Sequence, residues 1–370
     1  MFAVMYSTQA ILPELSREFD VSPSRAGLSV SSVVVAVAVG AWVWGPVSDR
    51  IGRPRAIRLA GLLVVTPTIG VAAAPTFESL LVCRSLQGLC MPGLLVVGAP
   101  YVIETFIPRV GARAMGWYVA ALVAGGLVGR VGVALAAGLV GWRAAIGGLV
   151  LLPLLSVVAM RGTLPEVDQP ARSGRAVRGL ISLPLLGVAV AGGALFFAFV
   201  GTFTYVTYRL EAEPFALGTS AVSLVFLLSI AGAAGPLWGR LAERIGWRSL
   251  ATGAVLLSCL GIVLTLPEVL AVIVIGLAMA AAAMFAGYTA TQLGVGDVAQ
   301  VDRGSASALY FSAYYSAGAL GAYVPGLAWE SRGWDGVVAL GLAALALAGV
   351  GLVVSRSAGR RDPAARTLSR

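Results

Sequence analysis

The sequence contains no lysine and no histidine, so all 26 of its basic residues are arginine. Without histidine, the chain cannot build proton relays or metal sites that depend on imidazole. Cysteine is scarce as well: Cys83, Cys90 and Cys259 all lie in apolar runs, and none has metal-ligand spacing or a plausible disulfide partner. We therefore expect the three cysteines to be small packing residues.

Charge is also sparse. Only 12% of residues are charged, 58% are hydrophobic, and the mean hydropathy is +0.90. The uncharged stretches include residues 26–48, 179–208 and 269–296. Each is longer than the roughly 20 residues that a helix needs to cross a bilayer, and too long for barrel strands. Because lipid offers no partners to backbone amides, the chain is predicted to be an all-α polytopic membrane protein.

Twelve transmembrane helices are predicted, at residues 1–16, 25–47, 57–75, 79–104, 114–140, 143–160, 179–208, 215–239, 248–266, 269–294, 305–330 and 335–355. The first helix is short, since only about twelve residues precede Pro13 where a span needs roughly 20. We expect the gene to encode at least about ten further apolar residues upstream to complete this span.

The arginines lie mostly on one side of the predicted membrane. If the first helix runs outward, 19 arginines fall in inside segments and five in outside segments. By the positive-inside rule, the linker 161–178 and the tail 356–370 are then cytoplasmic, with six-helix bundles at 1–160 and 179–355. The net charge of +9 reflects this bias rather than nucleic-acid binding, because no basic face carries interleaved aromatics.

The two bundles are predicted to be repeats. "GPVSDRIGRPR", from Gly45, matches "GRLAERIGWR", from Gly239, at an offset of 194 residues. The "GGLVGR" segment aligns Gly126 with Gly318 at an offset of 192 residues. Two matches at nearly one offset indicate a duplicated six-helix unit, and an even number of helices makes the two halves parallel repeats.

The loop between helices 2 and 3 resembles the signature of the major facilitator superfamily, Gly-x-Leu-x-Asp-Arg-x-Gly-Arg. The matching residues in this chain are Gly45, Asp49, Arg50, Gly52 and Arg53. "RSLQG" in helix 4 resembles a second motif of the family, Arg-x-x-Gln-Gly. The resemblance covers the whole chain and implies the major facilitator fold.

Within the superfamily the chain is similar to bacterial twelve-helix drug and sugar efflux permeases. The resemblance implies a secondary transporter in the cytoplasmic membrane that moves a small organic solute by alternating access, as a proton-coupled efflux antiporter. The usual Gly-Pro of helix 5 is replaced here by Gly125-Gly126, so uptake symport or facilitated transport of a neutral or anionic solute stays open as the alternative.

Polar residues inside the spans are the candidates for a substrate or proton site, since burying them in lipid is costly. Arg84 either senses a proton or an anion, or donates to backbone carbonyls. Arg130, among glycines of helix 5, either faces an anionic or polar substrate or is likewise bound by carbonyls. Tyr6 and Gln9 share one face of helix 1 and either line the cavity or bond another helix.

Gln87 of the second motif, and Tyr205 and Tyr314 from the aromatic clusters of helices 7 and 11, complete the candidate site. No Asp or Glu lies in the middle of a span. Since transporters of cationic drugs commonly need such a carboxylate, a neutral or anionic substrate is favoured. The same absence leaves proton coupling without an obvious carrier.

The charged loop is predicted to be a cytoplasmic gate. Gly45 would allow helix 2 to approach helix 11, and Asp49 would accept hydrogen bonds from amides at the start of helix 11, near 304–307. Gly52 would turn the chain so that Arg53 reaches Glu104 of helix 4. The resemblance implies that these contacts hold the outward-open state; alternatively the arginines, Arg50 among them, only set topology.

The rival classes are an intramembrane enzyme and a sensor or scaffold built on a transporter fold. An enzyme would need histidine, paired acids or metal ligands at membrane depth, and the chain lacks them. The lack of a sizeable soluble domain disfavours the sensor. We expect a monomeric, non-enzymatic protein in the bilayer that binds a small molecule and possesses neither a cofactor nor a nucleic-acid partner.

Overall fold

The computed structural model describes residues 1–105, 108–161, 182–299 and 303–356. These residues form helices joined by short turns and include no strand, which confirms the all-α prediction. The predicted linker beyond Arg161 and the predicted tail beyond Arg356 lie outside the described residues. The boundaries of the two bundles therefore stay predictions.

The helices of the first half are mostly interrupted. They are α1 (Phe2–Met5, Gln9–Ile11 and Leu12–Phe19), α2 (Pro23–Ile51), α3 (Arg53–Leu63 and Val65–Ala72), α4 (Phe77–Cys90 and Pro92–Thr105), α5 (Pro108–Leu127, Val128–Gly132 and Val133–Val140) and α6 (Trp142–Gly148 and Leu151–Ala159). The breaks are short, so consecutive pieces continue one crossing.

The second half contains longer helices. They are α7 (Leu183–Glu211), α8 (Thr219–Ser223, Leu224–Ala234 and Gly235–Ile245), α9 (Trp247–Val263), α10 (Leu270–Val298) and a pair, α11 and α12, within Arg303–Val354 that is broken at Gly333. Among the described residues, seven helices are singly long and apolar enough to span a membrane, or eight if a bent pair counts as one. Joined piece by piece, the described helices fit the predicted twelve crossings.

The internal repeat is visible in the backbone of the turns. Gly52 (φ 86°, ψ 146°) and Gly246 (φ 82°, ψ 147°) take the same left-handed conformation, which glycine adopts without steric cost. They stand 194 residues apart, so the turn predicted at Gly52 occurs in both halves. We call the membrane side of these two turns the inner face, and the side of the turns at Gly141 and Gly333 the outer face.

Helices α1 and α7 join the two halves near the outer face. The hydroxyls of Ser16 and Tyr208 lie 2.6 Å apart, and Arg17 Nη1 donates to Glu211 Oε2 over 2.8 Å. Both contacts pair a residue of the first half with one of the second. They hold the outer ends of the two bundles together.

Helices α2 and α11 make the second outer contact. The Ser24 amide donates to Glu330 Oε1 over 2.9 Å, and Ser31 Oγ donates to the Ala319 carbonyl over 2.6 Å. Gly27 between them has no room for a side chain, since a Cβ there would overlap a backbone carbonyl of α11. The missing side chain thus allows the backbones to meet, as small residues do in membrane helix pairs.

The inner end of α2 differs from its outer end, and the predicted contacts of Gly45 and Asp49 with the start of α11 stay predictions, because that region lies partly outside the described residues. A Cβ built on Gly45 would meet none of the described residues within 4 Å. Asp49 and Arg50 are exposed, and the Asp49 carboxylate bonds no described residue. The hydrogen bonds described between α2 and α11 lie in the outer half of α2, at Ser24 and Ser31.

Candidate functional site

Arg84 is fully buried beside the break in α1. It donates from Nε to the Ser29 carbonyl (2.7 Å), from Nη1 to that of Val4 (2.7 Å) and from Nη2 to that of Met5 (2.6 Å). Helix α1 is unwound between Met5 and Gln9, so its carbonyl groups lack the usual intrahelical donors. The guanidinium satisfies them, and of the two predicted alternatives the structure shows the bonding to carbonyls.

Gln87 supports Arg84 rather than reaching a cavity. Its Oε1 accepts from Arg84 Nη1 over 2.9 Å, and its Nε2 donates to Thr68 Oγ1 over 3.0 Å. Both side chains are buried at 0% exposure. The second motif therefore ties α4 to α1, α2 and α3.

Arg130 has a different environment. It lies in the π-helical segment Val128–Gly132 of α5, a local widening that is frequent at functional sites. Its Nε donates to Gln9 Oε1 over 2.7 Å. The guanidinium carbon lies 3.7 Å from the centroid of the Tyr6 ring and 5.4 Å from that of Phe226, within the range of cation–π attraction.

Gln9 extends this contact to the other half. Its Nε2 donates to Thr204 Oγ1 of α7 over 2.9 Å, so Arg130, Gln9 and Thr204 form a chain from one half to the other. Tyr6 and Gln9, predicted to share a face of helix 1, border the unwound part of α1, and both contact Arg130. Both predicted alternatives for this face apply: Gln9 bonds between helices, and Tyr6 borders a cavity.

The charge of Arg130 is not neutralised within the described residues. The side chain is 7% exposed and forms no ion pair there. Removing a cation from water costs several kcal/mol, and an unpaired one inside a membrane protein is unusual. Arg130 and Arg84 both lie inside the bundle, as predicted, but Arg84 donates from all three guanidinium nitrogens, whereas Arg130 donates to described residues from Nε alone.

A cavity of about 270 Å³ lies between the halves at Arg130. The first half contributes α1 and α5, and the second contributes α7, α8, α10 and α11. The lining residues are Phe2, Tyr6, Leu122, Val123, Gly126, Arg130, Phe196, Phe199, Ser229, Met284, Phe285, Tyr288, Thr289, Tyr314 and Tyr315. No carboxylate is among them, in agreement with the absence of mid-span acids in the sequence.

Aromatic side chains dominate the wall of the second half. Tyr314, a predicted site residue, stacks on Phe196 with 4.1 Å between ring centroids and 9° between planes. The ring centroid of Tyr288, in α10, lies 5.6 Å from that of Tyr314. The sequence predicted α10 as a helix but not as part of the cavity wall. Its Phe285 and Tyr288, three residues apart in an apolar helix, were a usable signal for that role.

The placement of Tyr205 corrects another prediction. Its hydroxyl donates to the Ala322 carbonyl over 2.7 Å, and its ring packs against Gly27 and Gly326 in the outer contact. Tyr205 stands six residues beyond Phe199, the nearest lining residue of α7, which is about 9 Å along a helix. It therefore lies at the outer closure and not in the cavity.

The inner charge pair is only partly described. Arg53 is 7% exposed, but the side chain of Glu104 lies outside the described part, so their predicted contact stays a prediction. The second half offers a parallel. Asp297, 193 residues after Glu104, accepts from Trp247 Nε1 over 3.0 Å and lies 3.5 Å from Arg248 Nη1, both next to the turn at Gly246.

These observations define a class of protein, a helical membrane transporter with a central cavity between two halves. The chain belongs to the Major Facilitator Superfamily, whose family model matches residues 1–321. The chain is 28% identical to the uncharacterised MFS-type transporter YybF of Bacillus subtilis, over 92% of this chain and 86% of that protein. It is 29% identical to the inner membrane transport protein YnfM of Escherichia coli, over 91% and 83%.

The fold is also that of a solved structure. A bacterial homologue of the human lysosomal transporter Spinster, in an inward-facing and occupied conformation, superposes with a TM-score of 0.80. The alignment covers 98% of this chain and 96% of that one at 16% identity. The recognition of the major facilitator fold from the sequence motifs is confirmed.

Proposed function

We propose that this transporter exports a small neutral or anionic organic solute from the cytoplasm by alternating access, driven by the proton gradient. The observation that carries the proposal is the central cavity between the halves, shut toward the outer face by the α1–α7 and α2–α11 contacts. A site that is closed to one side while bordered by both halves is what alternating access requires.

The preference for a neutral or anionic solute follows from the charges at the cavity. Among the described residues that line the cavity, Arg130 is the cation and none carries a carboxylate. A cationic solute would meet electrostatic repulsion there, with no compensating charge in a medium of low dielectric constant.

The outward direction and the proton coupling are proposed from the resemblance to bacterial efflux permeases. The lining offers tyrosines and Arg130 as its ionisable groups rather than a carboxylate. Facilitated transport of the same solute is the second candidate, favoured by this lack of an acid that would carry a proton.

The test is flux in proteoliposomes that contain the purified full chain, with and without an imposed pH gradient. A panel of labelled neutral, anionic and cationic organic solutes should include one whose accumulation against its own gradient requires the pH gradient and disappears with a protonophore. Equilibration that ignores the pH gradient would support facilitation and contradict proton coupling.

A variant pair ties the flux to the cavity. Thr289→Trp places a large ring in the cavity lining and should abolish flux. Leu256→Trp, at a residue of α9 that is 65% exposed, should leave flux unchanged. Flux that survives in Thr289→Trp would show that the solute crosses elsewhere.

A further inference from the structure

Arg130 is built to bind an anion from the cavity. Gln9 occupies its Nε and the Tyr6 ring covers one face, so the two Nη groups remain as its outward donors. Gly126 leaves the space next to Nη1 open: a Cβ there would lie 3.2 Å from that nitrogen. A carboxylate that accepts from both Nη groups would form paired, charge-assisted hydrogen bonds.

The walls around this charge select for a flat ring. The aromatic residues that border the space include Phe2, Phe285, Tyr288 and Tyr315. Within the wall itself, the rings of Phe196 and Tyr314 stack face to face. Aromatic rings gain from offset and edge-on contacts beyond the burial of area alone. The apolar part of the ligand is therefore expected to be aromatic.

The volume and the charge count limit the ligand further. A cavity of about 270 Å³ accommodates a single substituted ring. The lining carries one cation, so a dianion would bring a second charge without a partner. A monoanion is favoured.

A second polar contact is available at Ser229 of α8. This residue lines the cavity and is 6% exposed, and its Oγ has no hydrogen-bond partner within the described part of the chain. A buried hydroxyl without a partner is costly and therefore rare in native proteins. A polar ring substituent of the ligand would satisfy it.

We propose that the cavity binds a small aromatic monocarboxylate, with the carboxylate on Arg130, the ring among the aromatic side chains and a hydroxyl substituent on Ser229. The inference rests on the proposed function and specifies its substrate class. It also predicts a binding equilibrium that can be measured without transport.

The experiment is titration calorimetry on the full chain in lipid nanodiscs at neutral pH, with benzoate, benzamide, benzylammonium, cyclohexanecarboxylate, phthalate and the three hydroxybenzoates as probes. Benzoate should bind, and the other non-hydroxylated probes should bind more weakly, since each lacks the single negative charge or the aromatic ring. Equal binding of benzoate and benzamide would overturn the role of the charge.

Variants locate the site. Arg130→Gln should weaken benzoate about tenfold or more, the loss expected for a charge-assisted pair. Arg25→Gln, whose side chain is 54% exposed in a surface pair with Glu78, should leave benzoate unchanged. Thermal unfolding of both variants checks that they are folded, and Arg130→Lys, which keeps the charge without the paired geometry, should fall between wild type and Arg130→Gln.

Ser229 is tested with the hydroxybenzoates. One isomer should bind more tightly than benzoate, and Ser229→Ala should remove this gain while leaving benzoate itself unchanged. A gain that persists in Ser229→Ala, or benzoate binding that persists in Arg130→Gln, would overturn the assignment.

The binding and transport results separate the two proposals. If benzoate fails to bind while the liposomes transport another solute, the substrate class is wrong and the transporter function stands. If benzoate binds in an Arg130-dependent manner but no solute of the panel is moved, the site stands and the proposed transport fails.

Discussion

Two arginines of this chain show how far one residue type depends on its surroundings. Arg84 donates to three backbone carbonyls and to Gln87, whereas Arg130 has a single hydrogen bond and an aromatic face. Arg84 is therefore a structural residue that holds the unwound part of α1. Arg130 keeps donors available to the cavity.

Replacing Arg84 should cost stability. Arg84→Gln removes the bonds that Arg84 donates to three buried carbonyls, although Val4 keeps a bond from the Ser7 hydroxyl over 2.9 Å. At about 1–3 kcal/mol for each buried group left unsatisfied, the loss is about 2 kcal/mol or more. Thermal unfolding in detergent should show a clearly lowered Tm. Arg25→Gln, which breaks an exposed ion pair worth about 0–1 kcal/mol, serves as the control. Equal Tm values for the two variants would contradict a structural role for Arg84.

Among the elements, the pair α2 and α11 determines how closely the halves meet. Its contact depends on Gly27, whose missing side chain admits the backbone of α11 and the Tyr205 hydroxyl. The same helix carries Gly45 toward its inner end, where the space is open. Of the three glycines in α2, Gly27 meets α11, Gly40 packs against Leu89 of α4, and a Cβ on Gly45 would meet no described residue.

Gly27→Ala should open the outer contact. The added Cβ would overlap the Ala322 carbonyl and lie 2.6 Å from Tyr205 Oη, distances that neither backbone nor a packed ring can accommodate without moving. The measurement uses a chain in which the three native cysteines are replaced by serine and Ser24 is replaced by cysteine. Gly27→Ala should make this cysteine react roughly several-fold faster with a polar maleimide than it does without the substitution.

Gly253→Ala is the matched control for this labelling, because a Cβ there meets nothing within 4 Å. It should leave the labelling rate unchanged. A rate in Gly27→Ala that equals that of the control would mean that the α2–α11 contact does not limit access from the outer face.

Within the described residues, the two halves are joined at the outer face, whereas Gly45 and Asp49 at the inner end of α2 make no contact with the second half. The predicted gate at Asp49 therefore stays a prediction, and its carboxylate is exposed in this conformation. A contact that forms only when the inner face closes would stabilise the opposite state. Its contribution at a wet interface is about 1 kcal/mol, which biases two states of similar energy.

Asp49→Asn should accordingly shift the population toward the conformation seen here, by about fivefold for a loss of 1 kcal/mol. Spin-label distances between the inner ends of α2 and α11 measure the two populations. Glu268→Gln, an exposed acid at the outer face, is the control. Unchanged distances in Asp49→Asn would leave the charged loop with its topological role alone.

The sequence by itself determined the features that depend on neighbouring residues. Uncharged runs such as 179–208 predict membrane helices because lipid leaves the backbone no alternative. The duplicated motif predicts a glycine turn at Gly52, since only glycine takes its backbone angles without strain. The family and the lack of a carboxylate in the cavity wall were likewise legible, because motifs and missing residue types are properties of the chain.

Only the tertiary structure decided which polar side chains reach the cavity and which face is closed. Arg84 and Arg130 look alike in sequence, but the acceptors of Arg84 come from distant helices that meet it through packing alone. Tyr205 and Tyr314 both belong to aromatic clusters, yet a displacement along α7 places Tyr205 in the outer contact. The closure of the outer face depends on contacts between segments about 190 residues apart, which no local pattern of the sequence reveals.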